Sequence, residues 1–212
     1  MGLFKPVWQN TNEIKAVKAV EKMTDQAEIA NAAKNATGIL VRSAAVKKIT
    51  SQAMLADIAK NAEYCDVCIK AIQRLTDQTL LTDIAKNADF YSRLEAAKKL
   101  TDQSVAQKVY SDLANNEENC ECRFLAALEL TDKAITQKVF AEIAINGSNW
   151  RIRETAINKL TDKSVLSEII NGSAEKNVSK RENKAGGSAT ATSAIDHRET
   201  ARQRLAELEK NN

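Results

Sequence analysis

The sequence is poor in the residues that form turns: its 212 residues include 6 glycines and 1 proline. Average usage at this length would give about 15 glycines and about 11 prolines. A β-sandwich or barrel needs a turn roughly every 8–12 residues, so this scarcity argues against both folds. Aromatic residues make up 4% of the chain and hydrophobic residues 43%. The core must therefore consist mainly of Ala, Ile, Leu and Val.

Long apolar segments are also missing. No run approaches the roughly 18–20 residues of a membrane span, and the first residues, Met1 to Pro6, lack the apolar segment of a signal peptide. Charges nearly balance, with a net charge of +3. Because disulfides are rare in chains without a secretion signal, we expect reduced cysteines and a cytoplasmic location.

An internal repeat dominates the chain. A Thr-Asp-Gln/Lys tripeptide, with Thr50-Ser51-Gln52 as a variant, recurs at spacings of 26, 26, 25, 30 and 30 residues. Alanine occupies the fifth position before this tripeptide in every repeat, which predicts a close approach of two helices. These alanines are Ala19, Ala45, Ala71, Ala96, Ala126, Ala156 and Ala201. A position filled by Met, Ile or Leu directly precedes each tripeptide.

Each repeat is expected to form two short helices. The Thr-Asp pair supplies an N-cap for the first helix, whose apolar residues follow a helical period, as in Leu80, Leu81, Ile84 and Ala85. That helix is predicted to end at an Asn or Gly, residues that tolerate the left-handed conformation. These are Asn35, Asn61, Asn87, Asn116, Asn146 and Gly172. The longer spacings insert four residues, about one helical turn, into the first helix of two repeats.

The repeats predict the organisation of the chain. Residues 1–11 form a leader whose Trp8 covers the open end of the first helices, and residues 12–172 form the repeat array. Residues 173–194 have the composition of a flexible insertion, and residues 195–212 supply the last helix. The fold is predicted as an all-α solenoid of about six to seven two-helix units, with about thirteen helices.

The pattern resembles the short HEAT-like repeats of bacterial α-solenoids. The resemblance is carried by apolar-Arg pairs that open the second helix: Val41-Arg42, Cys122-Arg123, Ile152-Arg153 and, more weakly, His197-Arg198. The units are shorter than the usual repeat of about 40 residues, and Cys68 replaces the arginine in one of them. The resemblance implies that second helices line a concave face. HEAT-like proteins include cargo carriers and assembly scaffolds as well as bilin lyases and DNA glycosylases.

No catalytic or metal-binding motif is found. Cys65, Cys68, Cys120 and Cys122 share repeat positions with apolar residues, which favours packing over a zinc site. His197 is the only histidine, and no glycine-rich phosphate loop is present. We therefore expect no enzyme activity, no metal and no cofactor.

Arginine recurs eight positions before the tripeptide. This position lies three residues from the alanine position, so it is expected beside the buried stripe as a structural ladder. Glu63 and Glu118 are candidate partners. The ladder consists of Arg42, Arg93, Arg123, Arg153 and Arg198.

The outer face of the first four second helices is basic. We call these eight residues the basic stripe: Lys18, Lys22, Lys47, Lys48, Lys70, Arg74, Lys98 and Lys99. All are expected to face solvent, and reversing Lys48, Arg74 and Lys99 is expected to leave the fold intact. The alternative is that these lysines form an ordinary solvated helix face without a binding role, since lysine is a good helix former.

Two functions follow from the stripe. The favoured one is a non-catalytic protein-binding scaffold that presents a concave, partly basic surface to an acidic protein, without a membrane. The alternative is a nucleic-acid-binding module that uses the stripe for phosphate contacts. The stripe lacks interleaved aromatics for base stacking, which favours the scaffold.

Overall fold

The computed structural model describes residues 6–171 and 197–210, and these residues are helical with no strand. A 3₁₀ turn at Val7–Gln9 precedes thirteen α-helices in the described part. They are α1 (Glu13–Lys22), α2 (Gln26–Asn35), α3 (Ile39–Lys48), α4 (Gln52–Asn61), α5 (Cys65–Arg74), α6 (Gln78–Asn87), α7 (Phe90–Lys98), α8 (Gln103–Asn116), α9 (Cys120–Leu128), α10 (Lys133–Asn146), α11 (Trp150–Lys159), α12 (Lys163–Ile170) and α13 (His197–Lys210). The predicted all-α fold is confirmed.

The chain divides into two compact units, residues 1–109 and 110–212, with the division inside α8. In the N-terminal unit, α2–α3, α4–α5 and α6–α7 form hairpins; the second helices α1, α3, α5 and α7 stack in one layer, and the first helices α2, α4 and α6 in another. The C-terminal unit repeats this arrangement, with α9, α11 and α13 in one layer and α10 and α12 in the other. Each unit is thus a stack of helical hairpins, the arrangement predicted for an α-solenoid.

The predicted insertion of one helical turn is confirmed. Helices α8 and α10 have 14 residues each, whereas α2, α4 and α6 have 10 each. The apolar face is retained because four residues are close to one turn.

The ends of the first helices are fixed by side chains. The Asp77 carboxylate accepts hydrogen bonds from the backbone N–H groups of Thr79 and Leu80, and Asp25, Asp102, Asp132 and Asp162 make equivalent caps. The predicted left-handed C-termini are wrong. Asn35 and Asn61 are the last helical residues, but the alanines after them have extended backbones with φ of −69° and −74°. The asparagine amides instead donate to side chains one turn back. Gly172 lies outside the described residues.

The alanine position is buried in nearly every repeat. Six of its seven members are fully buried: Ala45, Ala71, Ala96, Ala126, Ala156 and Ala201. Ala19 is half-buried, contrary to the prediction, because α1 is the first second helix and none precedes it in the described part. Trp8 is buried, as expected of a cap, and its 3₁₀ turn contacts α1. The predicted insertion at 173–194 lies outside the described residues.

The glutamine of the tripeptide links neighbouring repeats. The Gln52 side-chain oxygen accepts hydrogen bonds from the backbone N–H of Thr76 at 2.8 Å and from its hydroxyl at 3.3 Å. The Gln52 amide donates to the Arg74 carbonyl at 3.3 Å. Gln26 and Gln78 make the same three bonds, and so does Gln137, which lies one turn after Lys133 of its tripeptide in a longer first helix. These glutamines therefore anchor the turn of the next repeat, whereas Gln103 donates to the Leu100 carbonyl.

Candidate interaction surface

The basic stripe lies on the second-helix layer of the N-terminal unit. Lys18 and Lys22 belong to α1, Lys47 and Lys48 to α3, and the rest to α5 and the end of α7. The helix that carries each of the eight residues is the one predicted from the repeat. The residues differ, however, in the hydrogen-bond partners of their charged groups.

Three of them cap a neighbouring helix. The Lys48 ammonium donates to the carbonyls of Glu21 and Met23, at the end of α1. Arg74 donates in the same way to the Val46 carbonyl of α3, and Lys99 to the Ile72 carbonyl of α5 at 3.0 Å. A cation at a helix C-terminus satisfies carbonyls that have no helical partner and opposes the negative end of the helix dipole.

These contacts correct the sequence expectation. Lys48 and Lys99 are half-buried, so their charges do not simply face solvent. Burial lowers the pKa of the Lys99 ammonium below its usual value. Because reversal of Lys48, Arg74 and Lys99 would remove these bonds between repeats, we now expect it to destabilise the fold.

Two further stripe residues are engaged within the layer. The Lys70 ammonium donates to the Ser43 hydroxyl at 3.0 Å, and Lys98 forms an ion pair with Glu95 at 2.9 Å. Lys18, Lys22 and Lys47 are exposed and make no hydrogen bond or ion pair with any other described residue. These three, here called the free lysines, are the part of the stripe that can meet a partner without breaking an internal contact.

Exposed apolar side chains accompany the free lysines. Ile14 of α1 is 67% exposed and Leu40 of α3 is 57% exposed. Both lie ten positions before the tripeptide, as does Asp66 in the next repeat. Together with Val17 and Ala44 they line a groove of about 480 Å³ between α1 and α3, and Lys18 and Lys47 border it. The repeat pattern did not predict this groove between α1 and α3.

Four arginines of the ladder donate hydrogen bonds to backbone carbonyls at the ends of first helices, as expected of a structural role. Arg42 is 5% exposed and donates to the carbonyls of Ala36 and Thr37 at 2.9 and 2.8 Å. Its second amino group pairs with Asp66 at 3.0 Å, and its guanidinium lies 3.9 Å from the centre of the Tyr64 ring. Arg93, Arg123 and Arg153 each donate to the end of the preceding first helix through Nε. Arg198 is half-buried near the start of α13.

The acidic partners of the ladder differ from those expected. Asp66 pairs with Arg42 and Glu142 with Arg123, whereas neither Glu63 nor Glu118 makes an ion pair with the ladder among the described residues. In the repeat without an arginine, the Cys68 thiol contacts the Ala62 carbonyl at 3.3 Å and so occupies the same place. Burial raises the pKa of Cys68 to about 11.

The acidic residues of the first helices also make contacts between repeats. Asp83 pairs with Lys60 at 2.8 Å, and Asp57 pairs with Lys34. Hydrogen bonds from these lysines and from Asn61 and Asn87 lower the pKa of both carboxyls. These acids therefore belong to the joints between first helices.

Comparisons of the chain with protein-family models, curated proteins and solved structures find no match.

The described residues contain no group of three or more His, Cys, Asp or Glu side chains that is arranged to hold a metal ion. None of the four cysteines forms a disulfide in the described part; Cys65 is exposed and Cys68 is buried. None of the helices in the described ranges is both long and apolar enough to cross a membrane.

Proposed function

We propose that this chain is a non-catalytic interaction scaffold of the HEAT-like kind, whose N-terminal unit binds an acidic partner protein through its second-helix layer. The observation that carries this proposal is the set of free lysines beside the α1–α3 groove. Exposed cations with no internal partner can meet carboxylates without first breaking a hydrogen bond. Their fields partly add because neighbouring repeats stack within about 10 Å, close to a Debye length.

The arrangement favours a protein over a nucleic acid. A phosphate backbone is best matched by a continuous row of available cations, but three stripe residues are committed to helix ends and two to side chains. The side chains that line the groove between Lys18 and Lys47 include no aromatic ring, so they do not offer the stacking platforms that single strands use.

The test compares two triple variants with the same change in net charge. Lys18→Glu/Lys22→Glu/Lys47→Glu reverses the free lysines, and Lys86→Glu/Lys108→Glu/Lys138→Glu reverses three exposed lysines of first helices. A labelled polyglutamate peptide is the probe, and its affinity is measured by fluorescence anisotropy at low salt. We expect the first variant to weaken binding by about tenfold or more, and the effect to shrink as salt rises.

An equal loss in the control variant would mean that net charge alone drives binding, and the proposal would fall. A short DNA duplex is titrated in parallel. If the duplex binds more tightly than polyglutamate, and only the free-lysine reversal abolishes that binding, the nucleic-acid function replaces the scaffold.

A further inference from the structure

The groove between α1 and α3 combines two features that ordinary solvated helix faces lack together. Ile14, Val17, Leu40 and Ala44 supply its apolar lining, and the polar part of the lining includes the lysines Lys18 and Lys47. Ile14 and Leu40, 67% and 57% exposed, line the same groove, and clustered exposed apolar surface is typical of a binding site. The groove therefore fits an occupant with an apolar face.

The charges around the groove further restrict the kind of occupant that it can bind. Lys18, Lys22 and Lys47 have no partner among the described residues, and Lys48 also lines the groove although its ammonium is bonded to carbonyls at the end of α1. Two acidic side chains lie at the groove: Glu21 lines it, and the Glu13 carboxylate accepts a hydrogen bond from the Leu40 N–H at 3.1 Å. The excess of positive charge on this border favours carboxylates on the occupant, flanking its apolar face.

Geometry favours a helix over an extended segment. The described residues contain no strand, so this surface offers no sheet edge to which an extended peptide could add. A groove between two neighbouring helices of one layer can accept the row of side chains that projects from a third helix. Helices α1 and α3 have 10 residues each, which corresponds to a length of about 15 Å and to an occupant of about three turns.

We propose that the α1–α3 groove binds a short amphipathic helix of a partner protein. The apolar stripe of that helix, at positions i, i+3 or i+4 and i+7, packs on Ile14, Val17 and Leu40. Its acidic flanks face the free lysines. This inference rests on the proposed function, because it specifies the kind of acidic partner that the N-terminal unit takes.

The probe is a labelled synthetic peptide of about 14 residues with leucines on one helical face and glutamates elsewhere. A peptide of the same composition, scrambled to abolish the apolar face, is its control. We expect the amphipathic peptide to bind at least about tenfold more tightly than the scrambled one and to gain helicity, measured by circular dichroism. Equal binding of the two peptides would overturn the inference.

Matched variants locate the binding site. Leu40→Ser removes an exposed leucine of the groove, and Leu128→Ser removes an exposed leucine of α9. We expect Leu40→Ser to weaken binding about fivefold or more at any salt concentration, and Leu128→Ser to leave it unchanged. We expect Lys47→Glu to weaken binding mainly at low salt, and Lys86→Glu to have little effect. An unchanged affinity in Leu40→Ser would refute the proposed site.

Two further outcomes distinguish failure of the helix-binding inference from failure of the scaffold proposal. If polyglutamate binding depends on the free lysines but the amphipathic and scrambled peptides bind equally, the inference fails and the scaffold proposal stands. If binding of neither probe depends on the free lysines, both fail. Sedimentation of the free protein tests the remaining occupant: a dimer that Leu40→Ser dissociates would mean that a second copy covers the groove, which also overturns the inference.

Discussion

Lys47 and Lys48 are neighbours in one helix, yet the structure gives them different roles, and this difference can be measured. Lys48 donates to two carbonyls at the end of α1, whereas Lys47 is exposed and has no partner in the described part. Reversing either residue to Glu changes the net charge equally. Both residues also lie in the last turn of α3, so the cost of placing a negative charge at the end of α3 is similar for the two variants.

The expected difference in the free energy of unfolding follows from the contacts that Lys48 alone makes. A hydrogen bond to a charged group contributes about 1.5–3 kcal/mol when well protected. Because Lys48 is half-buried, we take its two bonds together at the lower end, about 1.5 kcal/mol. A carboxylate beside the C-terminus of α1 adds about 0.5 kcal/mol. We expect Lys48→Glu to destabilise the N-terminal unit by about 2 kcal/mol and Lys47→Glu by no more than about 0.5 kcal/mol.

The assay uses the two tryptophans. Trp8 is buried in the N-terminal unit, and Trp150 lies in the C-terminal unit and is exposed. In a Trp150→Phe background, urea unfolding followed by fluorescence therefore reports on the N-terminal unit alone. Equal destabilisation by the two reversals would show that Lys48 contributes only its charge, and the division of the basic stripe into capping and free residues would be wrong.

The other predictions concern the joints between repeats. Arg42→Met should destabilise the N-terminal unit by about 3 kcal/mol, because it leaves the partly buried Asp66 unpaired; adding Asp66→Asn should recover part of this loss, and no recovery would contradict the pairing. Ala71→Leu should cost about 1–3 kcal/mol in thermal or urea unfolding, because Ala71 has no exposed surface; a neutral effect would contradict the close contact. The pKa of the Asp57 carboxyl is lowered in the folded state, so its contribution to stability is present above the unfolded pKa and is lost as the pH falls below about 4; Asp57→Asn should flatten this part of the acid-unfolding curve, and an unchanged curve would contradict it. Cys65 should react with a thiol reagent at pH 8 much faster than Cys68, whose pKa is raised to about 11; equal rates, read by mass spectrometry, would contradict the buried position of Cys68.

The fold was predictable because its determinants are local and repeated. Alanines such as Ala71 recur at one position of the repeat, and caps such as Asp77 stand next to the helix that they begin. Helical period and capping depend on residues within a few positions of each other, so a single sequence carries both signals. Repetition then strengthens both signals, since the same residue types return at the same positions of each unit.

The ends of long side chains were not predictable in the same way. Whether Lys47 or Lys48 reaches the carbonyls of α1 depends on the offset between two stacked helices, and sequence spacing does not give that offset. One signal was present: the second position before the tripeptide is Lys or Arg in most repeats. Arg204 holds this position in the last repeat and donates to the Leu160 carbonyl at 3.0 Å. A cation that recurs at one position beside a helix end is typical of capping, and the recurrence alone could have indicated it.

The repeats also provide an internal control for separating fold from function. Positions that the fold requires, such as those of Ala71 and Leu75, keep one residue type or a close substitute through the array because these side chains pack in the core of the repeats. The tenth position before the tripeptide behaves differently, since it holds Ile14, Leu40, Asp66 and Tyr91 in successive repeats of the N-terminal unit. A position that changes between apolar, acidic and aromatic residues has no uniform packing role in the array. The exposed pair Ile14 and Leu40 is therefore not explained by the repeat itself, and this is the physical reason to place the binding site at the α1–α3 groove.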